Sequence, residues 1–529
     1  MRSPLFRLLT VGVVLAALGT TLAQSASYDA NAVINLATNA DPTFNPWYPG
    51  VGVESDLLNE MIFEGLTRWD GNALPSPDLA TKWSVSQDGL TWTFDLRANV
   101  KWSDGAPFTA DDVAYTFNDI VLNKQLGSNN AHIYDPVDHV EVVNPLQVKF
   151  ILKRPFSSLP AYLAYFEGIL PKHIFANASE SPFKLSSFNK QHPVGTGPFM
   201  VQQYVSGAYI RLVRNPNYWG PKPKLAGVTF KVVPEPDAQV AQMLSGGLDL
   251  IRVENPTLLS RLQNAPGLSL DQQSENVYFF VILNQTNPAY QDVRVRQALL
   301  YAIDRKAIIQ SVLKGYGEVA TGPIAPVQKA YYDPNVKKYP YDPAEAKKLL
   351  AEAGYTPGPD GTLQKDGKPF EITIDAGQYG QLVPISLLVQ QYWQKIGVKV
   401  KMNTMDWNSY LTKTFVKRNY EATVCWWRTP TTPDVSPYYQ SSAAVNGNNW
   451  PEYKNPQLDQ LLNQELAATT QQEKVQAATK IQELVAQQLP YLYLYYPKTV
   501  VVRKSNLEGL LPINLPAAFQ HSEDWYVAK

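Results

Sequence analysis

Apolar and polar residues follow two periods along this chain, and the places where the period switches mark its elements. Leu90, Trp92, Phe94 and Leu96 alternate with Thr91, Thr93 and Asp95. That period of two predicts a half-buried strand. Ser103-Asp104-Gly105 supplies turn residues, and Thr109 with Asp112 three positions on predicts a capped helix start. Upstream, 34–36 reads as a short strand, 41–48 as a loop and 55–63 as a helix. Downstream, 140–143 and Gln147–Leu152 predict a hairpin, Gly195 to Phe199 a tight turn, and 208–214 a strand stopped by Asn215-Pro216.

Beyond residue 275 the texture changes. Val277–Leu283 is a continuous apolar run, as expected of a strand buried on both faces. Val295, Leu299, Ala302 and Ile303 then recur at helical spacing, and Asp304 is placed to cap a second helix ending near Gly315. Asp342 and Pro343 predict another helix start, with Gly354 as its stop. Strands at 370–375 and 398–402 flank a helix at 384–396, a β-α-β unit of an α/β lobe. The last long helix spans about 470–488 and Pro490 ends it; 491–496 and 499–502 then read as two strands. These segments predict two lobes, with crossings near 276–284 and 487–496.

Composition narrows the function. Lys plus Arg total 46 and Asp plus Glu 47, so the chain lacks the basic surplus of a nucleic-acid binder. Aromatics reach 12% with 30 Tyr and 12 Trp, which suits recognition through ring faces and hydroxyls. At the N-terminus, Arg2 and Arg7 precede an apolar run over 8–18 that is too short to span a bilayer. Thr21-Leu22-Ala23 then offers a cleavage site before Gln24. Residues 1–23 are therefore expected to be an export signal. Cys425 is the single cysteine, so no lipid-anchor Cys follows the signal, and a periplasmic location is expected.

Enzyme signatures fail one by one. The five histidines are scattered, and no zinc-protease helix, nucleophile elbow, phosphate loop or dinucleotide fingerprint occurs. No catalytic residue, metal or cofactor is assigned. The distinctive cluster is Cys425-Trp426-Trp427-Arg428, followed by Thr431, Asp434 and Tyr438-Tyr439. Adjacent Trp residues on a strand point to opposite faces, so one is expected to pack the core while the other faces a cleft. Arg428 is either an internal ion-pair partner or solubiliser, or a clamp for a ligand carboxylate. Asp434 reads most simply as a turn residue, and Trp450 as a rim stacker or a loop anchor.

Several stretches in order resemble family 5 solute-binding proteins of ABC importers, the peptide- and nickel-binding group. They are Leu79-Ala80-Thr81-Lys82-Trp83 with Asp88-Gly89-Leu90-Thr91-Trp92; Trp102-Ser103-Asp104-Gly105; Val194-Gly195-Thr196-Gly197-Pro198-Phe199; Arg214-Asn215-Pro216-Asn217-Tyr218-Trp219; and Asp292-Val293-Arg294-Val295-Arg296-Gln297-Ala298. The resemblance implies a periplasmic-binding-protein type II-like α/β fold with two lobes and two hinge crossings. On that reading the first lobe covers 24–275 with an extra domain at about 60–190, the second covers 276–486, and 487–529 return to the first. It also implies a ligand held in the interlobe cleft and delivered to a membrane permease and its ATPases, by a protein acting as a monomer. The candidate ligand-binding set is Trp426, Trp427, Arg428, Thr431, Asp434, Trp407, Asn45, Tyr48 and Trp450. Peptide-binding members carry an Asp for the peptide amino group where this chain has Thr431, and Asp434 matches a later structural Asp. Di- or oligopeptides are the expected ligands, with oligosaccharides as the alternative and nickel disfavoured.

Overall fold

The computed structural model describes residues 27–49, 57–164, 168–176, 178, 181–253, 255–429, 431–511 and 518–529. The expected export signal and residues 55 and 56 of the expected 55–63 helix lie outside the described residues. Of the rest of that helix, only 57–59 are helical before the chain turns.

One twelve-stranded sheet runs through both lobes. In its first-lobe section, Val33–Thr38 lies parallel to Gly227–Val232 and to Leu250–Val253. Tyr209–Arg214 and Phe199–Val205 extend it antiparallel. In the second-lobe section, Glu371–Gly377 lies parallel to both Lys399–Met405 and Ala422–Arg428. Val277–Leu283 pairs antiparallel with Ala422–Arg428, and all but one of its side chains are buried, as its unbroken apolar run predicts. Helix Leu382–Lys395 covers this section with Ile385, Val389 and Trp393, and the Trp393 indole donates to the Leu299 carbonyl at 2.9 Å. That link ties it to helix Val293–Tyr301, which starts at the Asp292 cap.

The two strands expected at 491–496 and 499–502 are one continuous strand, Leu492–Lys504. Its first half pairs with Val277–Leu283 through Leu492, Tyr493 and Tyr495. Its second half pairs with Leu268–Ser274 from Lys498 onward and with Leu250–Val253 from Val500. Pro497 sits where the ladder changes partner, so its missing N–H removes no bond from either of those pairings. This strand and the 274–277 segment are the two crossings between the lobes.

The extra domain is a four-stranded antiparallel sheet in the order Ala80–Val85, Thr91–Leu96, Gln147–Leu152, Val137–Asn144. The expected alternation holds, with Trp92, Phe94 and Leu96 buried. The Thr109 and Asp112 capping box forms, and Asp112 also accepts from the Lys172 N–H at 2.9 Å. Trp92, Phe94 and Phe150 share one hydrophobic core with Ile34, Val228 and Phe230, so this sheet is fused to the first lobe. A separate core holds Phe280, Ile374, Val424 and Tyr493 in the second lobe.

Candidate functional site

The strands of each lobe that run parallel end on the same side of their section. Ligands of open α/β sheets bind outside such carboxyl ends. In the second lobe those ends lead into Tyr379, Trp407 and the Trp426–Arg428 stretch.

Side-chain alternation splits this last stretch between two faces. Trp427 goes inward. Its ring lies 3.8 Å from Trp450 and 4.5 Å from Tyr438, with Phe280 behind it. Trp450 also contacts Phe415 at 3.8 Å, so it anchors its loop to the lobe. Cys425 shares this side, and burial pushes its thiol up to about 12, which keeps it unreactive.

Trp426 goes the other way, into a set of nearly parallel rings. It lies 5.5 Å from Tyr379 at 10° and 5.8 Å from Trp407 at 17°. Across the strand pair it faces Phe279 at 5.8 Å, and Phe279 stacks on Tyr495 at 4.7 Å. Tyr379 also stacks on Trp407 at 4.6 Å, yet remains 53% exposed. The set therefore ends in a ring that is open to solvent.

Arg428 shares the Trp426 face and meets Glu275 at 3.0 Å. Arg252 from the first lobe holds the other oxygen of the same carboxylate at 2.5 Å, and the Thr499 hydroxyl donates to it as well. Burial opposes the Glu275 charge, but the two guanidiniums and the hydroxyl outweigh it and hold the carboxyl below its usual range. Of the readings left open for Arg428, the internal ion pair is present. Its side chain is still 43% exposed.

The first lobe carries a cavity of about 290 Å³ at the ends of Val33–Thr38 and Leu250–Val253. Leu36, Phe230, Val240, Leu258 and Phe519 make it apolar, and Arg252 and Asn255 add polar groups. Its lining comes from the first lobe and the C-terminal return alone.

Of the remaining candidates, Trp407 joins the ring set. Thr431 and Asp434 are buried, and Asp434 accepts from the Ser436 N–H at 2.9 Å and its hydroxyl at 2.6 Å, which makes it a turn residue. Asn45 is fully enclosed in the first lobe; its amide donates to Asn189 at 3.2 Å and its carbonyl accepts from the Trp47 N–H at 3.0 Å. Tyr48 packs edge-on against Phe183. The structure does not bring these two to the ring set. Sequence reasoning missed Tyr379, Phe279, Tyr495, Glu275 and Arg252. Tyr379 had a usable signal: it follows a predicted strand that heads a β-α-β unit. Glu275 and Arg252 had none, because their pairing depends on the crossing. Among the described residues, one group has metal-ligand spacing: His521, Glu523 and Asp524. It lies beside Trp69, Arg68 and Lys224, not in the cleft.

The family profile described as bacterial extracellular solute-binding proteins, family 5 Middle, matches residues 75–450. The oligopeptide-binding protein AppA of Bacillus subtilis is 31% identical over 495 residues, covering 92% of this chain and 90% of that protein. The dipeptide-binding protein of Escherichia coli is 28% identical over 513 residues, covering 92% and 93%. The heme-binding protein A of Haemophilus influenzae is 28% identical over 499 residues, covering 89% and 88%. Among solved structures, AppA from Bacillus subtilis in complex with a nonapeptide aligns with a TM-score of 0.73 at 30% identity, covering 95% of this chain and 100% of that one. HbpA2 from Haemophilus parasuis aligns with a TM-score of 0.84 at 25% identity, covering 94% and 100%. On the extent of the profile match and the AppA identity, the chain belongs to the bacterial extracellular solute-binding proteins of family 5.

Proposed function

We propose that this protein is the exported binding component of an ABC importer and takes di- or oligopeptides between its lobes. The observation that carries the reading is the pair of surfaces at the strand ends of the two lobes. One lobe carries an apolar cavity at its strand ends and the other a ring set at its own, and two chain crossings among the described residues join the lobes. Its relatives include proteins named for oligopeptides and dipeptides. Ligand that touches both walls favours the closed lobes over the open ones, and a membrane permease with its ATPases receives the closed form. The protein works as a periplasmic monomer and releases its ligand unchanged.

Trp426, Trp407 and Tyr379 form the second-lobe wall of the site, with Arg428 beside them. Thr431 is buried where peptide binders place their amino-group carboxylate, so the amino terminus is held by backbone groups or water. The nearly parallel rings also favour a second reading, in which the flat face of an oligosaccharide stacks on Tyr379.

Native mass spectrometry of the purified protein tests both. A co-purifying peptide, confirmed by calorimetric binding at one equivalent, supports the first reading. A co-purifying sugar that quenches Trp fluorescence supports the second. Turnover of either compound rejects the binding role.

A further inference from the structure

The C-terminal return carries a group of side chains that the ligand-binding reading does not use. His521, Glu523 and Asp524 each offer one ligand atom, and these atoms all lie within 4.8 Å of one another. They come from one tight turn around the 3₁₀ helix Ser522–Asp524, in which the Asp524 N–H donates to the His521 carbonyl at 3.0 Å. The turn is docked on strand Thr67–Trp69. The Trp69 N–H donates to the Gln520 side-chain carbonyl at 3.0 Å, and the Gln520 amide donates to the Ala164 carbonyl at 2.7 Å. Phe519 and Trp525, on either side of the turn, are buried, so its backbone is anchored at both ends.

Two observations point from this group to a ligand. The first is the tautomer of His521. Its Nε2 lies 2.6 Å from the Trp69 carbonyl oxygen, which can only accept, so Nε2 carries the proton. The neutral ring then presents Nδ1 as a lone pair, and the bond on its far side fixes its orientation. Metal-bound histidines are held in the same way, by a carbonyl or carboxylate on the second nitrogen. The second observation is Glu523, which is 4% exposed. Its Oε1 accepts from Arg68 at 2.8 Å, but its Oε2 is buried with no hydrogen-bond partner among the described residues. A buried carboxylate oxygen is costly to leave unmatched. Lys224 meets Asp524 at Oδ1, 3.3 Å away. Each basic side chain thus takes one oxygen of its carboxylate and leaves the other.

We propose that His521, Glu523 and Asp524 form a zinc site that locks the C-terminal turn against the first lobe. An imidazole nitrogen with two carboxylate oxygens is a donor set that zinc accepts, whereas Ca²⁺ and Mg²⁺ take oxygen ligands. Three protein ligands leave a fourth tetrahedral position for water. The ion gives Glu523 Oε2 the positive partner that Arg68 does not supply. Because the His521 ring is bonded to Trp69 and Glu523 to Arg68, fixing these two ligands also fixes the turn to strand Thr67–Trp69. Arg68 and Lys224 balance the two carboxylates, so affinity comes from coordination rather than from surplus negative charge, and that favours zinc over Ca²⁺. All parts of the site belong to the first lobe and the C-terminal return, so it stands apart from the question of what the lobes carry.

The test uses the full protein, purified without a histidine tag, stripped with a chelator and titrated with Zn²⁺ in a calorimeter. One equivalent is expected to bind, and about a hundredfold excess over Kd is expected to raise the melting temperature by about 2 °C. Ca²⁺ and Mg²⁺ are expected to do neither. His521→Ala and Glu523→Gln are each expected to weaken Zn²⁺ binding about tenfold or more. His139→Ala, which removes an exposed histidine paired with Asp138 and Glu141, is expected to leave it unchanged. No binding of Zn²⁺ to the wild type overturns the site. Binding that survives both His521→Ala and Glu523→Gln overturns it as well and marks an adventitious ion only. Should Glu523→Gln fail to fold because Arg68 loses its pair, His521→Ala, which breaks no ion pair, decides alone.

Discussion

Trp426 and Trp427 are adjacent in the chain and both half-buried, yet they serve different parts of the molecule. Trp427 is pressed between Trp450 and Tyr438 and belongs to the lobe's interior. Trp426 sits in a ring set whose outermost member is exposed. The difference teaches that burial alone does not sort the proposed site from the core here. What sorts them is the identity of the neighbours on each face of the strand.

The comparison breaks most visibly in stability. Trp427→Ala removes a ring wedged among aromatics and is expected to cost about 3 kcal/mol. Trp426→Ala, on the open side, is expected to cost less than half of that. Urea unfolding midpoints measure both, and equal losses would erase the distinction. Binding should invert the order. Trp426→Ala is expected to weaken the co-purifying ligand at least tenfold, by about 1.4 kcal/mol or more in calorimetry.

Arg428→Ala sharpens the site side with a smaller effect. It leaves Glu275 with Arg252 and Thr499, so the carboxyl moves up toward its usual range. Because Arg428 is partly exposed, the expected stability loss is only about 1 kcal/mol at neutral pH. Retained ligand affinity in this variant would confine Arg428 to the Glu275 pair.

A pH-dependent effect lies outside both faces, in the first lobe. Burial, despite Arg68 nearby, pushes Asp78 up to about 7. A raised acid holds its proton in the folded chain after the unfolded chain has lost it. Its contribution is fully present below the usual carboxylate range and is lost as pH rises through about 7. The wild type is therefore expected to lose melting temperature between pH 5 and pH 8. Asp78→Asn should flatten that slope, and an unchanged slope would remove Asp78 as its cause.

Much of the scaffold was legible because its signals are local. Val277–Leu283 could be read from its apolar run, and Thr109, Asp304 and Asp342 from cap chemistry. The single strand through Pro497 was not, because proline normally ends a ladder. It is tolerated because the partner strands exchange there on one edge, while on the other edge Pro497 stands opposite Gly317. The proposed site was only partly legible. Trp426 and Trp407 stand out as aromatics near strand ends, whereas Asn45 carries the same polar signal as a ligand contact and turns out to be enclosed by Asn189 and Trp47.

By itself the sequence determined the elements, the two α/β sections and the family, since periodicity, caps and ordered motifs act over short distances. The tertiary structure alone decided which tryptophan looks outward and that Glu275 is shared by an arginine from each lobe. Those contacts join residues far apart in the chain, and no local pattern encodes a distance that only the crossing strands set.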